Sequence, residues 1–239
     1  VNVVTSILSG ALGGLAATSL GTIIVRWFFR PTLEFDEGVV KWGSSPHEER
    51  IETAEYKIQI RNTDRSAATN CKPRITLEGV HETTISEPVL AERGHEFTDF
   101  DITKTYTMTL IPTWEEEGSP NRIDINQDEY ASFRLMKATT ERVGPQIRDD
   151  IRFGSVLPEE EMQEKDTLFS TPIRVETPPV RTNTEPDVSY QSSLDRETFE
   201  EIDWKTKEII VTSANGKKLH ASIDFGWEQN TLPEVSLVY

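Results

Sequence analysis

Residues 3–25 carry no charged side chain, and Arg26 and Arg30 follow at once. No other feature constrains the chain as strongly, because this one sets where the protein sits. At a rise of about 1.5 Å per residue the run makes a helix roughly 34 Å long. A bilayer core is roughly 30 Å thick and takes about 20 apolar residues. Trp27, Phe28 and Phe29 supply the aromatic belt of a membrane surface. The sequence therefore predicts a transmembrane anchor over residues 1–30, flanked at the lipid boundary by Arg26, Trp27 and Arg30.

The run is only moderately hydrophobic. It holds Gly10, Gly13, Gly14 and Gly21, together with the hydroxyls of Thr5, Ser6, Ser9, Thr18, Ser19 and Thr22. Two rival readings carry less weight. A cleaved signal peptide has a positively charged start and a shorter apolar stretch. A buried helix of a soluble domain would lose about 1 kcal/mol at each glycine relative to alanine. Membrane helices use small residues to bring backbones close. Gly10 and Gly14 form a GxxxG pair that Gly13, Ala17 and Gly21 extend, which offers a helix-packing face and a homodimer seam. Small residues are also common in membrane helices generally.

Orientation follows from the flanking cations. Arg26, Arg30 and Lys41 lie on the C-terminal side, and the positive side of a span stays in the cytoplasm. The large C-terminal part is therefore expected in the cytoplasm. The single cysteine, Cys71, leaves no intrachain disulfide framework, and no Asn-x-Ser/Thr sequon occurs. Both agree with that side of the membrane.

The formal net charge is −16, and every charged side chain lies after residue 25. So acidic a chain repels phosphate backbones, which argues against nucleic-acid binding. The acids are dispersed, lysine is scarce beside arginine, and threonine is abundant. That composition resembles proteins of extreme halophiles, in which charge maintains solubility. The alternative is a dedicated acidic partner surface.

Several stretches alternate apolar and polar residues with period two, the mark of half-buried strands. Leu33 and Phe35 begin one. Tyr56, Ile58 and Ile60 oppose Lys57, Gln59 and Arg61. Ile75 and Leu77 form a third, Tyr106, Met108 and Leu110 a fourth, and Ala131, Phe133 and Leu135 a fifth. Leu219, Ala221, Ile223 and Phe225 form another near the end. Clean alternation leaves one face solvated and favours antiparallel sheets. Asn215-Gly216, between two such runs, predicts a type I′ hairpin. Short strands at this spacing predict a β-sandwich.

Helical signal past the anchor is thin. Residues 193–204 offer a serine cap with Leu194, Phe199 and Ile202 at roughly helical spacing, and residues 140–150 are a weaker candidate. Residues 157–200 are rich in Pro, Thr and acids and read as a linker. The predicted organisation is an anchor over 1–30, a β-sandwich over 31–156, an acidic linker over 157–200, and a β-hairpin with a last strand over 201–239 that docks on the sandwich. Forty residues rarely hold a core alone.

A family likeness lies between Arg30 and Glu78. RPTLEF follows the anchor, then AEYKIQIRNTDRSAATNCKPRITLEG, with Tyr56, Ile58, Ile60, Asn62, Ala68, Asn70, Cys71, Ile75 and Leu77 at matching places. This resembles uncharacterised prokaryotic membrane-anchored proteins with an immunoglobulin-like, CARDB-like sandwich. Trp114 and the strand around Phe133 fit loosely. The resemblance implies the fold, mainly β with an N-terminal transmembrane helix and an antiparallel immunoglobulin-like sandwich. It implies no activity.

The residues that carry chemistry form no known motif. His47, His81, His95 and His220 lack metal-ligand spacing, and one cysteine makes no CxxC site. Cys71 reads as a small buried hydrophobe rather than a nucleophile. Asp124, Asn126 and Asp128 open like a calcium loop, but Glu129 replaces the required glycine and Leu135 the bidentate glutamate. Trp42, Trp114, Trp204 and Trp227 read as packing residues, one or two of them as partner anchors. No Walker, GxGxxG, GxSxG or kinase signature occurs. No catalytic residue, cofactor or metal is expected, and the chain reads as a non-enzyme. The expected role is a membrane-held interaction or structural module with the bilayer and a protein at a sheet edge as partners. Alternatives are an outward-facing envelope or virion surface protein and, last, a carboxylate-based hydrolase.

Overall fold

The computed structural model describes residues 30–44, 51–91, 94–116, 118, 121–143, 146–154, 171–179, 185–227 and 232–239. The expected anchor, with Gly10, Gly14, Arg26 and Trp27, lies outside these residues, while Arg30 is described and exposed. Among the described residues no helix is long and apolar enough to cross a membrane.

Strands dominate. In chain order they are β1 (Leu33–Ser44), β2 (Ile51–Asn62), β3 (Ala68–Ala91), β4 (Gly94–Leu110), β5 (Ile123–Ile125), β6 (Tyr130–Val143), β7 (Gln146–Phe153), β8 (Ile173–Thr177) and β9 (Asp187–Gln191). A short helix α1 (Arg196–Glu201) precedes β10 (Asp203–Thr212), β11 (Leu219–Gly226) and β12 (Glu234–Val238). The small sheet has the order β1-β2-β6-β7 and the large sheet β12-β11-β10-β3-β4-β8-β9, with β5 paired to the start of β3. The pairings are antiparallel throughout.

The period-two pattern turns into this sandwich because each strand hides one face. Tyr56, Ile58 and Ile60 of β2 are buried, as are Ile75 and Leu77 of β3, Tyr106, Met108 and Leu110 of β4, and Phe133 of β6. Side chains from both sheets form one core cluster. Burying each large apolar side chain contributes roughly 1.5–3 kcal/mol. One break in the alternation has a local cause. Leu135 and Met136 are consecutive and both buried. Tyr56 pairs with Met136 and Lys57 with Arg134, so Leu135 is the extra residue of a β-bulge, which lets two neighbours face inward.

The structure corrects several sequence expectations. Residues 140–150 are not helical: β6 and β7 form a hairpin there, paired from Met136↔Phe153 to Val143↔Gln146. The helix expected over 193–204 is only α1. Its cap is Asp195, whose carboxylate accepts from the Thr198 N–H at 2.8 Å, rather than a serine, and the chain extends into β10 at Asp203. Within 157–200, read as a linker, the described residues carry β8, β9 and α1. Ile173 and Val175 bury one face of β8 between prolines, a pattern too short to stand out. The final segment continues the large sheet, β10 pairing with β3 from Asp203↔Val80 to Thr212↔Lys72.

Asn215-Gly216 makes no type I′ turn, since neither residue has positive φ. Instead Asn215 stitches its loop to the β2–β3 connection. Its Nδ2 donates to the Ala67 carbonyl at 2.8 Å, and its Oδ1 accepts from the Thr69 N–H at 2.9 Å. A Cβ at residue 216 would collide with the Ser213 hydroxyl and sit 3.0 Å from the Pro31 carbonyl oxygen.

Candidate interaction surface

The hairpin of β3 and β4 outruns its neighbours. β10 pairs with β3 only as far as Val80, and β8 with β4 only as far as Thr105. Beyond those points residues 81–91 and 94–104 pair with each other from His81↔Lys104 to Ala91↔Gly94. The result is a two-stranded ribbon roughly 30 Å long by strand rise. Among the described residues no third strand flanks it on either side.

Its two faces differ. The inner face continues the core face of Leu77 and Tyr106: Ile102 is buried, and Ile85 and Phe100 are half-buried. The outer face exposes Glu82, Thr84, Ser86, Asp99, Asp101 and Thr103. Opposed residues on that face hydrogen-bond across the ribbon. The Thr84 hydroxyl donates to Asp101 at 2.8 Å, and the Ser86 hydroxyl donates to Asp99. Such cross-strand pairs hold the register.

The ribbon's base is propped by the segment around α1. Gly79 admits Ile202 and Trp204 against β3; a Cβ there would collide with Ile202 and lie 3.0 Å from Trp204. Trp204 packs on Phe199 with ring centroids 5.2 Å apart and donates Nε1–H to the Phe199 carbonyl at 3.2 Å. His81 Nε2 lies 3.0 Å from a Glu201 carboxylate oxygen. Burial, then the charges of Asp195 and Glu201, push the Tyr106 phenol above its ordinary range.

An open cleft of about 1100 Å³ lies at this junction, lined by His81, Glu82, Asp101, Glu201 and Asp203 among others. Among the described residues no group of three or more His, Cys, Asp or Glu is placed to hold a metal ion.

The residues singled out from the sequence go elsewhere. Cys71 is fully buried, its thiol pushed up to about 11 by burial and then by the charge of Asp124. Trp114 is buried edge-on against Phe133, ring centroids 5.4 Å apart, and donates Nε1–H to the Cys71 carbonyl at 3.1 Å. The calcium-like triplet is occupied locally. Asp124 accepts from the Asn70 N–H at 2.6 Å, Asn126 Nδ2 donates to Glu129 at 2.9 Å, and Asp128 pairs with Arg61 at 2.9 Å. Those bonds support Asn70 at φ 56° and Asp128 at φ 57°. Trp204 and Trp227 both flank Phe199, while the side chain of Trp42 lies outside the described residues. His220 lies 3.7 Å from Glu208.

Sequence reasoning missed the ribbon entirely. Its only signal is a period-two run of threonine, isoleucine and acids on either side of Gly94, in which both faces are too polar to read as a strand. A scan of family profiles found no match to this chain, and neither the curated proteins nor the solved structures gave one.

Proposed function

We propose that this chain is a single-pass membrane-held β-sandwich that acts as an interaction module. The charge-free run over residues 3–25 anchors it, and Arg26, Trp27 and Arg30 set the lipid boundary with the sandwich on the cytoplasmic side.

The observation that carries this reading is the ribbon. An isolated two-stranded ribbon is marginal in water, and its outer edges present unpaired backbone groups to any extended chain. A partner strand added there would complete a sheet by main-chain hydrogen bonds. The β4 edge suits this better than the β3 edge, because Pro88 in β3 lacks an N–H to contribute. Glu82, Asp99 and Asp101 on the exposed face favour a basic or neutral partner segment.

Amide hydrogen exchange tests the reading on the full chain, compared between its native membranes and plain lipid vesicles. Amides of residues 94–104 should exchange at least tenfold more slowly in native membranes, where the partner is present. Equal exchange in both settings overturns the assignment.

A further inference from the structure

The large sheet ends at β9, which among the described residues pairs with β8 alone. Natural edge strands are guarded by shortness, charge, proline, a bulge or covering structure. β9 is short and opens on Asp187, but its five residues include no lysine, proline or bulge, and among the described residues no strand pairs with its outer edge. Its sequence is Asp-Val-Ser-Tyr-Gln, and its register with β8 runs unbroken from Ile173↔Gln191 to Thr177↔Asp187. Each of its five residues is exposed, with Val188 at 40% and Tyr190 at 66%. The opposite edge differs: next to β12, Tyr239 packs its ring on Phe35 of β1, centroids 5.8 Å apart.

We infer that β9 is a homotypic contact, in which two copies of this chain join antiparallel, Ser189 facing Ser189, to make one continuous sheet. The strand's own sequence selects this occupant. A two-fold axis perpendicular to the sheet keeps each side chain on its own face, so opposed residues must have the same parity. Centring on Ser189 uses the whole strand. Val188 then faces Tyr190 of the second copy, a β-branched residue against an aromatic, one of the favoured cross-strand pairs. Asp187 faces Gln191, an acid against an amide donor, so no like charges are opposed. In β8 behind them, Arg174 opposes Tyr190 and Glu176 opposes Val188, and those two charges already pair at 2.7 Å. A register shifted by two residues leaves part of each strand unpaired.

The body of the protein opposes this contact. Two chains of formal charge −16 repel, and salt screens that repulsion, the Debye length falling from about 10 Å at 0.1 M to about 3 Å at 1 M. The pairing should therefore strengthen with salt.

Disulfide trapping in the full chain, held in detergent micelles at molar salt with a mild oxidant, tests the register. Opposed residues of an antiparallel pair have Cα atoms about 4.5–5.5 Å apart, inside the disulfide range. Ser189→Cys should form a covalent dimer. Asp187→Cys and Gln191→Cys should cross-link when mixed, at least tenfold more than either does alone. Wild type should give none, since Cys71 is buried. Adding Tyr190→Lys to Ser189→Cys, or lowering the salt to 0.1 M, should cut the yield at least tenfold with unfolding unchanged. No dimer from Ser189→Cys and none from the Asp187→Cys plus Gln191→Cys mixture overturns the inference. So does equal cross-linking by Asp187→Cys alone, which would mean that the anchor merely crowds the chains.

Discussion

Asn62 is the only buried polar residue in the described core, and replacing it with aspartate gives the sharpest test of how the sandwich is held. Its Nδ2 donates to the Ser66 carbonyl at 2.8 Å and to the Ile125 carbonyl at 2.9 Å, while its Oδ1 accepts from the Asp64 N–H at 3.2 Å. One side chain thus ties the end of β2 to the following turn and to β5. Asn62→Asp keeps the shape and removes both donors. Two hydrogen bonds of about 1 kcal/mol each are lost. A buried carboxylate facing two carbonyl oxygens adds a penalty of several kcal/mol. The expected loss at pH 7 is about 4 kcal/mol or more, a large part of a typical 5–15 kcal/mol.

Acid should reverse part of that loss. Burial and the two carbonyls raise the introduced carboxyl above its unfolded value of about 3.9. The stability contributed by the protonated form is then fully present below the unfolded value and lost as pH rises through the folded one. Denaturant titrations followed by tryptophan fluorescence, run at pH 7 and pH 4 against wild type, read this directly. The deficit should shrink by at least 1 kcal/mol at pH 4, about one hydrogen bond regained. Asn62→Ala should lose about 2–3 kcal/mol with no such pH dependence. A deficit for Asn62→Asp below about 1 kcal/mol at pH 7, or one unchanged by acid, would mean that the two Nδ2 bonds do not hold the end of β2.

Other expectations follow from the same packing. Cys71 should resist thiol reagents at pH 8 in the folded chain and react at once in denaturant. Because its folded value is raised to about 11, its contribution is fully present below about 8.5 and disappears as pH climbs through 11. Melting curves of wild type should therefore lose stability relative to Cys71→Ala as pH rises through 11. Gly79→Ala should cost about 1–3 kcal/mol by overpacking Ile202 and Trp204, and amide exchange should rise selectively at the ribbon base and in α1. Tyr56→Phe removes the hydroxyl that donates to the Pro233 carbonyl and should loosen β12, at a loss of about 1–2 kcal/mol in denaturant titration.

The sequence reveals elements in proportion to the one-sided burial they carry. β2, the first half of β3, the second half of β4 and β11 bury alternate residues, and β6 does so on either side of its bulge, so period two is plain in each. β8 is hidden because Ile173 and Val175 are its whole buried face, and β9 because none of its residues is buried. The β6–β7 hairpin escaped because Thr139, Thr140 and Arg142 break the alternation where the strands pair. Asn215-Gly216 misled because Asn215 bonds to the Ala67–Thr69 backbone, 146 residues away at Thr69, and tertiary bonds override local turn preference. The ribbon was invisible for a different reason. Strand length past a sheet's edge depends on where the neighbouring strands stop, and no local pattern records that.

Vesicle flotation tests the central claim, a β-sandwich held at the membrane by its leading segment. The full chain and a chain starting at Arg30 are each mixed with lipid vesicles, treated with alkaline carbonate and centrifuged through a density gradient. The full chain should rise with the lipid, and the shortened chain should stay at the bottom. Both chains staying at the bottom, or both rising, would contradict that claim.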